Sequence, residues 1–297
     1  MTESNIQRTL RVVFETHTLR VCRERALVLQ ALSIPHEFIE LDGRYALAVD
    51  SQDATRAREQ LALYEKENRG WPPVLIQVPR VSNGLIGVMC FAALLVVLHW
   101  MVTASAFDLD WRTAGRVDGR LMRAGEWWRA VTALMLHADV AHLAGNVVIG
   151  GVFGLFVGQL LGQGLAWSLI LAGGALGNIV NVLLQHPAHR AVGASTAVFA
   201  ALGILTAYTW MHRRDGRFKL AFRVAPLISG VVLLAYLGTG DVRTDIVAHL
   251  TGFGSGLGGG VIAARLSEPW RTAVDRQLQL GLIALSVCAI AWLLALT

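Results

Sequence analysis

Ala248-His249-Leu250-Thr251-Gly252-Phe253-Gly254-Ser255-Gly256 sets one ionisable imidazole inside a stretch that is otherwise apolar and small. An ionisable side chain within a membrane span is costly and marks a functional site by default. At about 100° per residue His249, Gly252 and Gly256 share one helical face, so a second helix can approach the histidine closely. The candidate for that helix opens at Val192-Gly193-Ala194-Ser195-Thr196-Ala197, where a serine stands at the mouth of another apolar stretch. A serine hydroxyl is a weak nucleophile until an adjacent base takes its proton, and histidine does this near neutral pH.

The rest of the chain supports a membrane setting. Hydrophobic residues make up 54% and charged residues 16%, against about a quarter charged in a soluble domain. From Leu85 onward the apolar runs have lengths near the roughly 20 residues needed to cross a bilayer. Spans are expected at about 84–104, 137–157, 164–184, 194–211, 222–239, 244–265 and 277–296. Nearly half of the charges fall before Asn83, with acids and bases in balance, so a small soluble domain precedes the membrane part. Its pattern reads strand (9–16), helix (21–32), strands (37–41 and 45–49) around Asp42-Gly43-Arg44, and helix (54–68), a βαββα unit. The expected fold is an all-α polytopic membrane bundle of six core helices plus one C-terminal helix, preceded by a small α+β cytoplasmic domain. Its parts are a domain at 1–72, a linker opened by Pro72-Pro73 at 73–83, a membrane core at 84–265, and a linker with a seventh helix at 266–297.

Composition also excludes. The arginines are scattered among loops with no basic stripe interleaved with aromatics, which argues against nucleic acid. Cys22, Cys90 and Cys288 lie far apart with no CxxC, so neither a disulfide framework nor a zinc site is indicated. The first twenty residues hold charges throughout and lack the apolar core of a signal peptide. Arg213, Arg214, Arg217, Lys219 and Arg223 read as a cytoplasmic loop under the positive-inside bias, which keeps the N-terminus cytoplasmic. Five arginines between Arg112 and Arg129 fall in a long loop on the opposite side, where that rule weakens.

Two further polar groups complete the constellation. His142 and Asn146, four apart in Ala141-His142-Leu143-Ala144-Gly145-Asn146, share a face and should point into the bundle. With the Ser195 backbone N–H they could donate to the oxyanion of a tetrahedral intermediate. His137, five residues before His142, faces about 140° away from it, which argues against a two-histidine metal clamp. There is no HExxH, and no metal is expected. Taken alone Ser195 reads as structural, because serines in spans bond back to their own helix. A serine, two histidines and an asparagine, each beside small residues, read together as a catalytic site. Asp245 precedes His249 by four residues and invites a triad, but at the start of its span it reads as a helix cap.

On these residues the chain resembles the rhomboid family of intramembrane serine proteases. His137-x4-His142-x3-Asn146 is similar to the family's second-span motif and Ala248-His249-x2-Gly252-x3-Gly256 to its AHxxGxxxG motif. Trp128-Arg129 resembles the tryptophan-arginine signature of the first external loop, and Gly193-Ala194-Ser195 the opening of the GxSG motif. The resemblance spans about Leu85 to Arg265. It implies Ser195 as nucleophile, His249 as base, and His142 and Asn146 as oxyanion stabilisers, in a dyad that leaves Asp245 outside. Two positions depart from the pattern: Thr196 stands in place of the second glycine, and Phe199 where a tyrosine often packs under the histidine. Thr196 either crowds the serine helix against the histidine helix, which would favour a catalytically silent protein, or finds room for its methyl opposite Gly252 and Gly256.

The expected function is hydrolysis of transmembrane protein substrates at or near the bilayer surface, without metal or organic cofactor, in the cell membrane of a bacterium. The rival is a catalytically silent rhomboid-like protein that binds transmembrane helices and controls their fate. A transporter is disfavoured, since the spans carry no inverted repeat and no central charges.

Overall fold

The computed structural model describes residues 9–69, 80–213, 220–238 and 245–297. The chain divides into two compact units, Met1–Gln77 and Val78–Thr297. In the first, β1 (Leu10–Thr16), α1 (Leu19–Ala31), β2 (His36–Leu41), β3 (Arg44–Asp50) and α2 (Ala54–Glu67) follow the predicted order. The sheet is antiparallel in the order β1-β3-β2. Asp42 and Gly43 form the two-residue β2–β3 loop with φ of 48° and 75°, the left-handed pair that matches a hairpin's twist. The small core holds Cys22, Leu29, Ile34, Leu47, Val49 and Leu61. Pro72-Pro73 and most of the predicted linker lie outside the described residues.

The second unit is helical: α3 (Leu85–Thr103), then a loop with α4 (Trp111–Gly115), β4 (Val117–Asp118), α5 (Gly119–Arg123) and α6 (Arg129–Thr132), then α7 (Val140–Leu161) and α8 (Gln163–Leu184). β5 (Arg190–Ala191) leads into α9 (Ser195–Arg213), followed by α10 (Leu220–Gly238), α11 (Ile246–Arg265), α12 (Glu268–Thr272) and α13 (Val274–Leu296). Among the described residues six helices are long and apolar enough to cross a membrane: α3, α7, α8, α10, α11 and α13. The chain is a multi-pass membrane protein. Seven spans were expected, and α9 is the one outside the six. It carries Ser195, Thr196, Thr206, Tyr208 and His212, and it is enclosed by α7, α8, α10 and α11, so its surface meets protein more than lipid.

Small residues set that enclosure. A Cβ on Gly252 would strike the Thr196 carbonyl, one on Gly256 the Ala200 carbonyl, and one on Gly260 the Ile204 carbonyl. The glycine face of α11 therefore lies against the α9 backbone at one contact per turn, closer than any side chain allows. Beside α11, α8 offers Gly173 to Ala200, Gly174 to Ala197 and Gly177 to Thr196. At the far end Gln277 of α13 enters the α7–α8 turn, its Nε2 donating to Leu161 O at 2.9 Å and its Oε1 accepting the Leu165 N–H at 3.1 Å.

Candidate active site

One cavity of about 1050 Å³ is lined by Ser195, His249, His142 and Asn146 together, with Phe199 and Asp245 on the same wall. Ser195 is the first residue of α9, where the leading N–H groups of a helix have no intrahelical partner and the macrodipole favours an anion. Gly193 takes φ 140°, a conformation that favours glycine. A Cβ there would sit 2.8 Å from His142 Cε1, 2.9 Å from His142 Nε2 and 3.7 Å from Ser195 Oγ. The missing side chain at 193 is thus what lets the His142 ring and the serine hydroxyl share one side of the cavity. The turn is pinned from behind: Gly193 N–H donates to Ala133 O at 3.0 Å and Ala194 N–H to His137 Nε2 at 3.4 Å.

His249, 7% exposed, sits one turn into α11. Its ring lies against Phe199, with centroids 4.3 Å apart and planes at 36°. Phe199 follows Ser195 by one turn of α9, so a single helix carries the hydroxyl and the aromatic support under the imidazole. Asn146 is buried on α7 and donates from Nδ2 to the His142 carbonyl at 2.9 Å. That bond orients the amide while the side chain still lines the cavity.

His137 corrects the helical-phase argument. α7 begins at Val140, because Asp139 accepts the His142 N–H at 2.8 Å and caps it. His137 therefore precedes the helix, and its ring meets that of His142 edge-on at 5.2 Å. Burial, reinforced by the His142 and His99 imidazoles, pushes His137 down to about 3, so it is neutral and free to accept from Ala194.

Thr196 corrects a second expectation. It is 3% exposed, and its methyl sits against Gly177 of α8 and Gly252 of α11; Gly256 accommodates Ala200 instead. Thr196→Gly is expected to lower stability by about 1 kcal/mol, from a small void and a freer backbone. Thermal unfolding in detergent measures that, and activity should stay within a few-fold of wild type.

Asp245 is the cap of α11. Its Oδ1 accepts the Ala248 N–H at 3.0 Å, and its Oδ2 accepts from Asn181 Nδ2 and His189 Nε2, both at 2.8 Å. Burial alone would raise this carboxyl, but the bonds from His189, the Ala248 N–H and Asn181 outweigh it and hold the group at about 2. Its pKa is depressed, so its contribution to stability is complete above its ordinary value of 3.8 and is lost as pH falls toward 2. Asp245→Asn should narrow its stability gap to wild type across that window, read by unfolding at pH 6 and pH 3. It should also keep roughly a tenth or more of the activity, because an amide still caps; neutralising a triad aspartate costs about 10⁴-fold.

His189 and Asn181 escaped the sequence reading. His189 lies in the loop before Ser195, and its carbonyl accepts the Gly119 N–H at 2.9 Å, so the loop joins α5, α8 and α11 at one residue. No spacing signals such a pairing. Asn181 did leave a trace, being one turn beyond Gly177 on the face of α8 that meets α9 and α11. The loop is further tied by the β4–β5 pairing and by Arg190 Nε on Asp118 Oδ2 at 3.1 Å.

Trp128 and Arg129 stand at the start of α6. Arg129, 6% exposed, pairs through Nε with Glu126 Oε2 at 2.7 Å, and through Nη1 reaches the carbonyls of Thr113 and Arg116 at 2.8 and 3.1 Å. α6 then runs into Ala133, whose carbonyl holds Gly193. The buried guanidinium thereby organises the loop that backs the serine turn. A group with this many engaged partners is a structural one.

Residues 124–266 match the family model described as the rhomboid domain. The chain is 28% identical over 246 residues, 80% of its length, to "Rhomboid protease GluP" of Bacillus subtilis (strain 168), covering 46% of that protein. It is 26% identical over 57% of its length to "Rhomboid-like protease 2" of Toxoplasma gondii, covering 59% of it. To "RHOMBOID-like protein 7" of Arabidopsis thaliana it is 30% identical over 46% of its length, covering 43%. The chain spans about half the length of these relatives.

Proposed function

We propose, from the premise that this chain carries a rhomboid domain and is of the rhomboid family, that it is an intramembrane serine protease acting on transmembrane proteins. The single observation that supports the reading most is that Ser195, His249, His142 and Asn146 line one cavity at the N-terminal end of α9. Ser195 Oγ attacks the scissile carbonyl carbon while His249 takes the hydroxyl proton. His249 then returns that proton to the departing amine, leaving an acyl-enzyme that water, deprotonated by the same imidazole, hydrolyses. The oxyanion is met by the Ser195 N–H, with His142 and Asn146 as side-chain donors and the positive end of α9 behind them. The ring of Phe199 holds the His249 base in one orientation.

The N-terminal unit and the 213–223 side face the cytoplasm in this reading, under the positive-inside bias; Arg214, Arg217 and Lys219 of that cluster lie outside the described residues. The seating of the Thr196 methyl against Gly177 and Gly252 supports the protease reading over the catalytically silent, helix-binding rival.

The experiment is cleavage of a model transmembrane substrate by the purified protein in lipid vesicles. Asn146→Ala should remain folded and lose about 10- to 1000-fold in rate, the range up to that of one oxyanion donor. Loss of folding with activity per folded molecule intact would make Asn146 a packing residue.

A further inference from the structure

The cavity holds a feature that the hydrolytic machinery does not use. Arg112 lies on α4 and Arg116 is the extended residue that ends it, its N–H bonded to Arg112 O at 3.0 Å. Both side chains are half-buried and line the cavity that contains Ser195 and His249. Among the described residues neither belongs to an ion pair. Arg112 Nη2 donates to the carbonyls of His137 and Ala138 at 3.2 and 3.3 Å, which holds the guanidinium in the wall without neutralising it.

The other charged groups around the cavity are already committed. Arg190 is paired with Asp118, and Asp245 accepts from His189, Asn181 and the Ala248 N–H. Asp139 caps α7 and has a further partner. Asp110 feels the charge of Arg116 but caps α4 through the Thr113 N–H at 3.0 Å and is not ion-paired with it. Two half-buried guanidiniums, neither in an ion pair, thus line the cavity of the nucleophile, and this is chemistry that receives a carboxylate or phosphate oxygen pair.

We infer that Arg112 and Arg116 form a carboxylate subsite, selecting substrates with an Asp or Glu side chain close to the bond that Ser195 attacks. The inference rests on the protease reading and adds to it a substrate class. A lipid phosphate offers similar oxygens, but the pair lines the cavity of the nucleophile, where the substrate segment must lie for attack, and this favours a group on the substrate.

The test uses the full chain in phosphatidylcholine vesicles with paired model substrates, identical except for Asp or Asn at successive positions on either side of the cleaved bond. At one or more positions wild type should cleave the Asp substrate with kcat/KM about tenfold above its Asn partner, the worth of one charge-assisted hydrogen bond pair at a half-buried site. The ratio should fall to about one in Arg112→Gln/Arg116→Gln and persist largely in Arg112→Lys/Arg116→Lys. It should also shrink in wild type as salt rises, since half-exposed charges are screened, a readout that holds even if the Gln variant fails to fold. A wild-type ratio of one at every position, or a ratio insensitive to both salt and the Gln exchange, overturns the inference. So does a rate that follows the anionic lipid content of the vesicles through these arginines with no response to substrate charge, which would assign them to a lipid phosphate. Wild type that neither cleaves any substrate nor reacts with a fluorophosphonate would defeat the protease reading first, and the subsite with it.

Discussion

Ser195→Ala is expected to reduce cleavage of a transmembrane substrate by about 10⁴-fold or more, with insertion and purification unchanged. The hydroxyl has no substitute in the cavity: the remaining polar side chains that line it are histidines, arginines, aspartates, a glutamine and an asparagine, with no second hydroxyl or thiol among them. His249→Ala should fall nearly as far, and the double variant should be no worse than either single one, because nucleophile and base act as a unit. Additive losses in the double variant would mean that the two residues contribute independently. Cleavage that persists in a clean Ser195→Ala preparation would remove the serine mechanism.

The second large effect is expected at Gly252. An added Cβ meets the Thr196 carbonyl at far less than contact distance, and the Thr196 methyl at 3.0 Å. Backbone cannot rotate away as a side chain can, so Gly252→Ala must push α11 off α9 and carry His249 with it. Displacement on the order of 1 Å costs about 100-fold in rate, and overpacking costs about 1–3 kcal/mol in stability. Because the obstruction is a carbonyl, adding Thr196→Gly should not restore activity. Full rescue by Thr196→Gly would show instead that the methyl alone sets the spacing of the two catalytic helices.

That interface was legible in outline, since His249, Gly252 and Gly256 fall on one face by periodicity alone. What periodicity could not give was the partner of each glycine: Gly256 faces Ala200, and the companion of Gly252 around Thr196 is Gly177, on α8. Hydropathy located the helices, α9 among them as the span expected at 194–211, although α9 stands outside the six that are long and apolar enough to cross a membrane because its polar residues face its neighbours. His137 was misread because a phase argument assumes a continuous helix, and Asp139 starts α7 two residues later. The His189 pairing with Asp245, like the hold of Arg129 on Thr113 and Arg116, joins loops that have no period, so only the folded chain displays it. In the N-terminal unit Asp42-Gly43 announced its hairpin because positive φ is written directly in residue type.

The most direct measurement is fluorophosphonate labelling of the folded, detergent-solubilised protein, with the modified peptide mapped by mass spectrometry. A dyad with Ser195 as nucleophile predicts one adduct, on Ser195, formed in wild type and in Asp245→Asn and absent from His249→Ala. A folded wild type that takes up no label and cleaves no substrate, or an adduct at another residue that survives Ser195→Ala, would contradict it.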